Sequence, residues 1–550
     1  MTRRVRLATL GLLIGGSAMT GLGGGAPAAG TATPAAAPAG TVRPPALAGS
    51  WYPGSPALLL ATARSLMRQA STAPMPSGRP VALVVPHAGW VYSGTVAAAA
   101  FRILTPGSFT RVVVMAPSHR AAFAGYALED AAAYRTPLGE IPLARAALQG
   151  LETPNLARVV PGSTGPEHAV EIELPFLQAA LGSFTLVPIL AGRVDAAAEK
   201  AFAEKLARLD DGRTLFVFSS DFTHYGPRFD YMPFGPTVGA RARVRELDDA
   251  AVGLLRRLDA EGWRSFVREK GATICGEAGL VTMLELLRRI APGAKATLLA
   301  HWASGEMPGV ADDSSVDYVS LAYTRETGAV GEPMNAPPRI AAVAADDPPL
   351  PDAVGHALVR VARGALDAEL RGDTAPLDAA LRELPGGRAV LPLQAVFVTL
   401  KRKDPAAIAR LGDLRGCIGQ VVPTYPLDLA VVTSALGAAL DDPRFPEVKG
   451  WELPGLSVEV TVLSPIVPIG SWKEIRIGTH GIVLEKGGHR ALFLPQVAPE
   501  QGWTVEETLD ALAQKAGLSR GDWRSGATFS VFTGRVFHEE AARAAPLPRR

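Results

Sequence analysis

Leu215-Phe216-Val217-Phe218-Ser219-Ser220-Asp221-Phe222-Thr223-His224-Tyr225-Gly226 is an apolar run that passes without a break into a polar loop carrying a histidine. Large apolar residues in succession, with no polar alternation, predict a strand buried on both faces, as in a parallel sheet covered by helices. The arrangement occurs twice more. Val81–Val85 leads into Pro86-His87-Ala88-Gly89-Trp90, and Val112–Met115 leads into Ala116-Pro117-Ser118-His119. Leu186–Leu190 is a further run of the same kind. Between these runs lie helical patterns at Ser93–Leu104, Glu167–Leu181, Ala196–Leu209 and Val238–Leu258. Strand–helix alternation across residues 43–324 predicts an α/β layered domain, its mostly parallel sheet flanked by helices.

In open α/β sheets the carboxyl ends of the strands border the ligand crevice. Three loops at that edge bring His87, His119 and His224 together, out of nine histidines in the chain. A metal site or a general base needs such a convergence. Thr273-Ile274-Cys275-Gly276 runs straight into a helical pattern, Glu277–Arg289. Cys275 thus sits at the positive end of a helix dipole, which favours the thiolate, the form that binds metal. A small buried core residue is the other reading of that cysteine. In Pro166-Glu167-His168-Ala169-Val170-Glu171-Ile172-Glu173, His168 and Glu171 stand at i and i+3 of the expected helix and share a face, so both are secondary site candidates. Glu167 reads as an ordinary helix-start carboxylate. Catalysis also needs a base outside the metal shell, for which His224 and Asp221 are the candidates.

The chain's 550 residues exceed what one hydrophobic core usually serves, so two domains are expected. With 55 basic and 53 acidic side chains, nothing points to a nucleic-acid or anionic-membrane partner. The two cysteines, Cys275 and Cys417, fall in different halves, which excludes a disulfide framework. Residues 1–28 read as a signal peptide: Arg3, Arg4 and Arg6, an apolar stretch from Leu7 to Met19, then Ala26-Pro27-Ala28. They predict an exported chain, periplasmic or extracellular. Residues 29–42 read as a flexible spacer. No later apolar run approaches membrane length, so no span is expected in the mature form. Prolines concentrated in 325–351 predict an interdomain linker.

Residues 352–540 change to longer alternating strands, such as Leu456–Leu463 and Gly481–Leu484, mixed with amphipathic helices such as Val505–Ala516 before Gly517. That pattern predicts a C-terminal α+β domain, with 541–550 as a frayed tail. Cys417 beside Arg415 is the tempting chemistry here, since a guanidinium lowers a thiol pKa, and His480 could be its base. No acid orients that histidine, and glycines around a cysteine equally suit a tight turn, so the structural reading is preferred.

Taken together, Ala48-Gly49-Ser50-Trp51-Tyr52-Pro53, Pro86-His87-Ala88-Gly89, Pro117-Ser118-His119, the segment Glu167–Gln178, Ser219–Phe222 with His224-Tyr225-Gly226, and Ile274-Cys275-Gly276 resemble the Memo family. That family is similar in fold to the LigB-type class III extradiol dioxygenases. The resemblance implies that His87, His119 and Cys275 occupy metal-ligand positions and that His224 stands where those dioxygenases keep a catalytic base. The dioxygenases hold iron with two histidines and a carboxylate. A thiolate in the third position favours copper, with zinc or iron as alternatives, and argues against catechol ring cleavage. Leu414–Gly419, Asp442–Pro446, Gly478–Ile482 and Phe493–Val497 resemble the AMMECR family. The two families together resemble components of the AmmeMemoRadiSam system, whose radical-SAM member needs a reducing cytoplasm. Export conflicts with that partnership, so the fusion is expected to act alone. The expected function is copper binding with O2-dependent redox activity toward a small molecule or peptide. The alternatives are a non-catalytic copper-sequestering protein and a protein-interaction scaffold.

Overall fold

A computed structural model describes residues 41–70, 73–165, 167–306, 314–325, 350–384, 394–420 and 425–539. The signal segment, the tail, nearly all of the spacer and residues 326–349 of the linker lie outside the described residues.

The strands of the N-terminal half are, in chain order, β1 Val42–Arg43, β2 Arg79–Val85, β3 Arg111–Pro117, β4 Tyr126–Leu128, β5 Ala133–Thr136, β6 Gly139–Pro142, β7 Ala157–Val159, β8 Thr185–Ala191, β9 Thr214–Ser219, β10 His224–Tyr225, β11 Lys295–Ala303 and β12 Ser315–Arg325. β1, β5 and β6 make a small sheet of their own. The other strands form one nine-stranded sheet in the order β10-β12-β2-β9-β3-β8-β4-β7, with β11 paired to β12. β2, β9, β3 and β8 run parallel, and these are the four continuous apolar runs. Val81–Val85 and all of β9 are buried, as expected where helices cover both faces.

The sheet is not mostly parallel, however. β12 is antiparallel to β2, β11 and β10, and β4 is antiparallel to β8. The reason is connection length. β11 returns to β12 through residues 304–314, too few for the helical crossover that a parallel neighbour requires.

Helices Pro56–Gln69, Trp90–Phe101 and Leu174–Leu181 pack together as one group, and Ala196–Ala207, Ala260–Lys270 and Glu277–Ile290 as another. The helix expected over 167–181 is shorter. Residues 167–170 form a turn, Glu171–Glu173 a single 3₁₀ turn, and the α-helix begins at Leu174 with Pro175 in its first turn. The Glu167 carboxylate accepts the backbone N–H groups of His168 and Ala169, which holds the chain in the turn. Proline then fits the first helical turn, where its missing N–H costs nothing.

The C-terminal half carries β13 Val396–Arg402, β14 Leu414–Gln420, β15 Leu456–Leu463, β16 Val467–Ile469, β17 Gly481–Lys486, β18 His489–Phe493, β19 Thr528–Phe532 and β20 Gly534–His538. They form two four-stranded sheets, β14-β13-β15-β20 and β16-β19-β17-β18, antiparallel throughout. Helices Asp352–Arg371 and Leu427–Leu440 cover the first sheet. Helix Val505–Lys515 is capped by Thr504 and Glu507 and followed by Gly517 at φ +79°. Helix Pro56–Gln69 packs on Asp352–Arg371 and Leu427–Leu440, so one apolar core runs through both halves. Ser55 bonds Glu369, Arg64 pairs with Asp378, and buried Arg68 pairs with buried Asp428 across that contact. Among the described residues no helix is long and apolar enough to cross a membrane.

Candidate metal centre

β2, β9 and β3 are adjacent and parallel, so the loops that follow them leave the sheet at one edge. That topology brings His87, residues 219–226 and His119 together. His87 is buried. Its backbone N–H donates to Asp221 Oδ1 at 2.7 Å, and its Nδ1 lies 2.8 Å from Ser219 Oγ. Ser219 in turn donates to Glu173 Oε1 at 2.9 Å. A hydroxyl whose proton goes to Glu173 accepts from His87 Nδ1, which leaves the lone pair on Nε2. That nitrogen faces Cys275 Sγ at 3.1 Å. Burial, reinforced by His119, His168 and His224, pushes the His87 pKa well down, so the ring is a neutral donor.

His119 is fixed by Glu167. Its backbone N–H donates to Oε2 at 2.6 Å, and its Nδ1 lies 3.0 Å from Oε1. Burial works against the Glu167 charge, but hydrogen bonds from His119 outweigh it and hold the carboxyl at about 2. The ionised group only accepts, so Nδ1 of His119 carries the proton and Nε2 is open. His168 stacks on His119, ring centroids 4.5 Å apart, and also meets Trp51 at 4.7 Å and His87 at 5.6 Å. Burial and the His119 charge pull His168 down to about 4, so it too is neutral near pH 7. One donor nitrogen from each of His87, His119 and His168 fits within a common 4.8 Å span. Histidine 168 is thus a full member of the cluster, whereas its sequence context marked it only as a secondary candidate. The signal was present: Glu167-His168 follows a proline and precedes the apolar helix.

Cys275 adjoins this group through His87. Asp221 N–H donates to its sulfur at 3.1 Å. Gly276 is required next to it, because a Cβ there would meet Ser220 Oγ at 2.5 Å. The thiolate expected from the helix start is not favoured by the fold itself. Burial and the Asp221 charge push the thiol pKa well up, and Cys275 lies ahead of the helix cap Gly276, outside the first turn. A bound cation reverses that balance by deprotonating the thiol as it coordinates.

His224 sits on β10, outside the three-histidine span. Its Nδ1 lies 2.9 Å from two backbone carbonyls, Phe222 O and Thr273 O. Carbonyls only accept, so Nδ1 is protonated and Nε2 has a free lone pair, the form of a general base. Asp221 is buried, and burial raises its pKa while the His224 charge opposes the rise.

Glu171 does not share a crevice face with His168, because the expected helix is absent there. Its carboxylate is taken up by Arg43 at 2.9 Å, by the N–H groups of Ala46 and Leu47 and by the Tyr52 hydroxyl at 2.8 Å. It clamps the segment that leads to Trp51. In the C-terminal half, Arg415 is committed to Glu452 at 3.0 Å and to Pro446 O. The cation beside Cys417 is instead Arg444, which donates to Cys417 O at 3.3 Å and is held by Asp442. His480 Nδ1 accepts the N–H of Arg476 within its own turn, so it supplies no base to Cys417.

Residues 43–322 match the Memo-like protein family and residues 359–537 match AMMECR1. The chain belongs to the Memo family. It is a Memo–AMMECR1 fusion. The Memo half is similar to Protein MEMO1 of Xenopus tropicalis, 32% identical over 244 residues that cover 43% of this chain and 81% of that one. It is 29% identical over 282 residues to the memo-1 homolog of Caenorhabditis elegans, covering 50% of this chain and 80% of the relative. Among solved structures, the uncharacterized protein PH0010 from Pyrococcus horikoshii is 37% identical, covering 36% of this chain and 96% of its own, at a TM-score of 0.31.

Proposed function

We infer that the Memo half binds copper through His87, His119 and Cys275 and uses it in O2-dependent redox chemistry on a small molecule or peptide. The observation that carries this reading is the set of open donors: Nε2 of His87 and His119 are both freed by proton acceptors on Nδ1, and the Cys275 sulfur lies beside the first. The donor set fits the ion, since two imidazoles with a thiolate suit copper better than iron. His168, which places one ring nitrogen within the same 4.8 Å span and whose Nδ1 lies 3.3 Å from Glu167 Oε1, is a further ligand. Copper held there supplies one-electron exchange with O2. The chain supplies the rest. His224 accepts a proton at Nε2, Asp221 holds the His87 backbone in place, and Trp51 shields the His168 face. The LigB-type likeness supports a base at His224.

The test is Cu(I) titration of the metal-free chain and of Cys275→Ser. About one copper per chain and a large affinity loss in the variant are expected for a soft N/S site. Unchanged affinity in Cys275→Ser ends the three-ligand reading. Replacing His224 with Ala keeps copper binding and abolishes O2 consumption. Stoichiometric copper with no O2 consumption in the parent chain favours sequestration instead.

A further inference from the structure

A second group of potential ligands lies beside the loop that leads to His224. Asp248 comes from helix Thr237–Arg256, His301 from β11 and Asp317 from β12, and their ligand atoms all lie within 4.8 Å of one another. Asp248 and Asp317 are buried, and the His301 side chain is wholly enclosed. His301 Nε2 lies 3.2 Å from Asp317 Oδ2. Asp248 Oδ1 accepts from Thr223 Oγ1 at 2.6 Å, but its Oδ2 has no hydrogen-bond partner, while His301 Nδ1 faces Asp249 Oδ1 at 3.3 Å.

Two carboxylates therefore face each other inside the protein. Burial, with the Asp317 charge beside it, pushes the Asp248 carboxyl well up. Among the described residues neither pairs with a lysine or arginine. Arg245 is spent on the His301 carbonyl and on exposed Asp249. Buried like charges need a shared proton or a cation between them. A cavity of about 20 Å³ that Asp317 borders, lined also by Tyr225, Ser315, Glu306, Arg241 and Arg245, has room for one water beside the group.

The geometry points to a second cation site, in which Asp248, His301 and Asp317 hold a zinc ion distinct from the histidine–cysteine centre. One imidazole and two carboxylates are a normal zinc set, and bonds of about 2.0–2.2 Å put donor atoms roughly 3–3.5 Å apart, the spacing His301 Nε2 and Asp317 Oδ2 already have at 3.2 Å. The position gives the ion a task. Thr223 bonds Asp248, and Asp317 exchanges backbone hydrogen bonds with Phe222 and Thr223. An ion there braces the loop that carries Asp221 and His224 against helix Thr237–Arg256.

The experiment strips the full chain with chelator and reloads it with zinc or, in parallel, with cobalt(II). Metal analysis should give about two equivalents, falling to about one when His87 and His119 are both changed to Ala. The cobalt remaining in that double variant should show ligand-field bands without sulfur-to-metal charge transfer. Adding Asp248→Asn, which preserves side-chain size, should remove the last equivalent. His301→Gln is the second variant should Asp248→Asn fail to fold. Loss of all metal in His87→Ala/His119→Ala overturns the proposal. An unchanged metal content after Asp248→Asn or His301→Gln does so as well, and assigns the group to proton sharing.

Discussion

Replacing Glu167 with Gln tests whether the cluster is held in place from behind. The carboxylate accepts the His119 backbone N–H, the His119 ring and the N–H groups of His168 and Ala169, and it is buried. Its pKa falls from an ordinary 4.5 to about 2. That difference is worth about 3 kcal/mol in favour of the ionised form at neutral pH. Glutamine keeps one oxygen but turns an NH2 group toward N–H donors, so the metal-free variant should be about 2–4 kcal/mol less stable at pH 7. The sign with pH follows from the depressed folded value. Stability from this group is complete above the unfolded pKa and is lost as pH falls toward 2. The gap between parent and variant should therefore be constant from pH 7 to 5 and narrow by pH 3, where the carboxylate contributes about 1.4 kcal/mol. Denaturant unfolding of both metal-free chains across this range measures it. Without a fixed acceptor on Nδ1, His119 should also lose orientation, lowering copper affinity 10–100-fold, or roughly 1.4–2.7 kcal/mol. A gap that does not change between pH 7 and pH 3, together with equal copper affinity, would rule out Glu167 as the support of His119.

Tyr52→Phe removes one of the bonds to Glu171 and should cost about 1 kcal/mol with copper affinity unchanged; a large affinity loss by titration would return Glu171 to the metal centre. Arg68→Met leaves Asp428 buried without its cation, so unfolding should be easier by about 3–5 kcal/mol, read by calorimetry, and a change under 1 kcal/mol would show the pair to be dispensable. Native material should begin near Ala29, and N-terminal sequencing that returns Met1 or Thr2 would remove the export proposal.

The parallel centre of the sheet was legible because β2, β3, β8 and β9 are near-continuous apolar runs, the composition that suits a strand buried on both faces. The loops after three of them followed from the strand-end rule. What escaped the sequence depends on distant partners. Glu171 lies in a helical pattern, yet its fate is set by Arg43, Ala46, Leu47 and Tyr52, more than a hundred residues earlier. The helix over 167–170 was lost to a side chain capping its own backbone, a competition that periodicity does not register. The Cys275 state turned on burial, which opposes the dipole argument and is larger. Asp248, His301 and Asp317 come from three elements with no shared motif, two of them on antiparallel strands whose placement the alternation did not predict.

The two halves are joined close to the candidate metal centre. Trp51 packs on His168, and its carbonyl accepts the N–H of Trp90. Upstream of Trp51, Glu171 grips the chain at Ala46 and Leu47. Downstream, Ser55 caps helix Pro56–Gln69 and bonds Glu369 of the C-terminal half. The same helix contributes Arg64 and Arg68 to buried or half-buried ion pairs with Asp378 and Asp428. The short stretch bearing Trp51 is therefore held at one end by the Memo half and at the other by the AMMECR1 half. An isolated Memo half would expose the side of that helix that packs on Asp352–Arg371 and Leu427–Leu440, and leave two arginines without their carboxylates. The shared core answers both costs and ties the AMMECR1 half to the helix that follows Trp51.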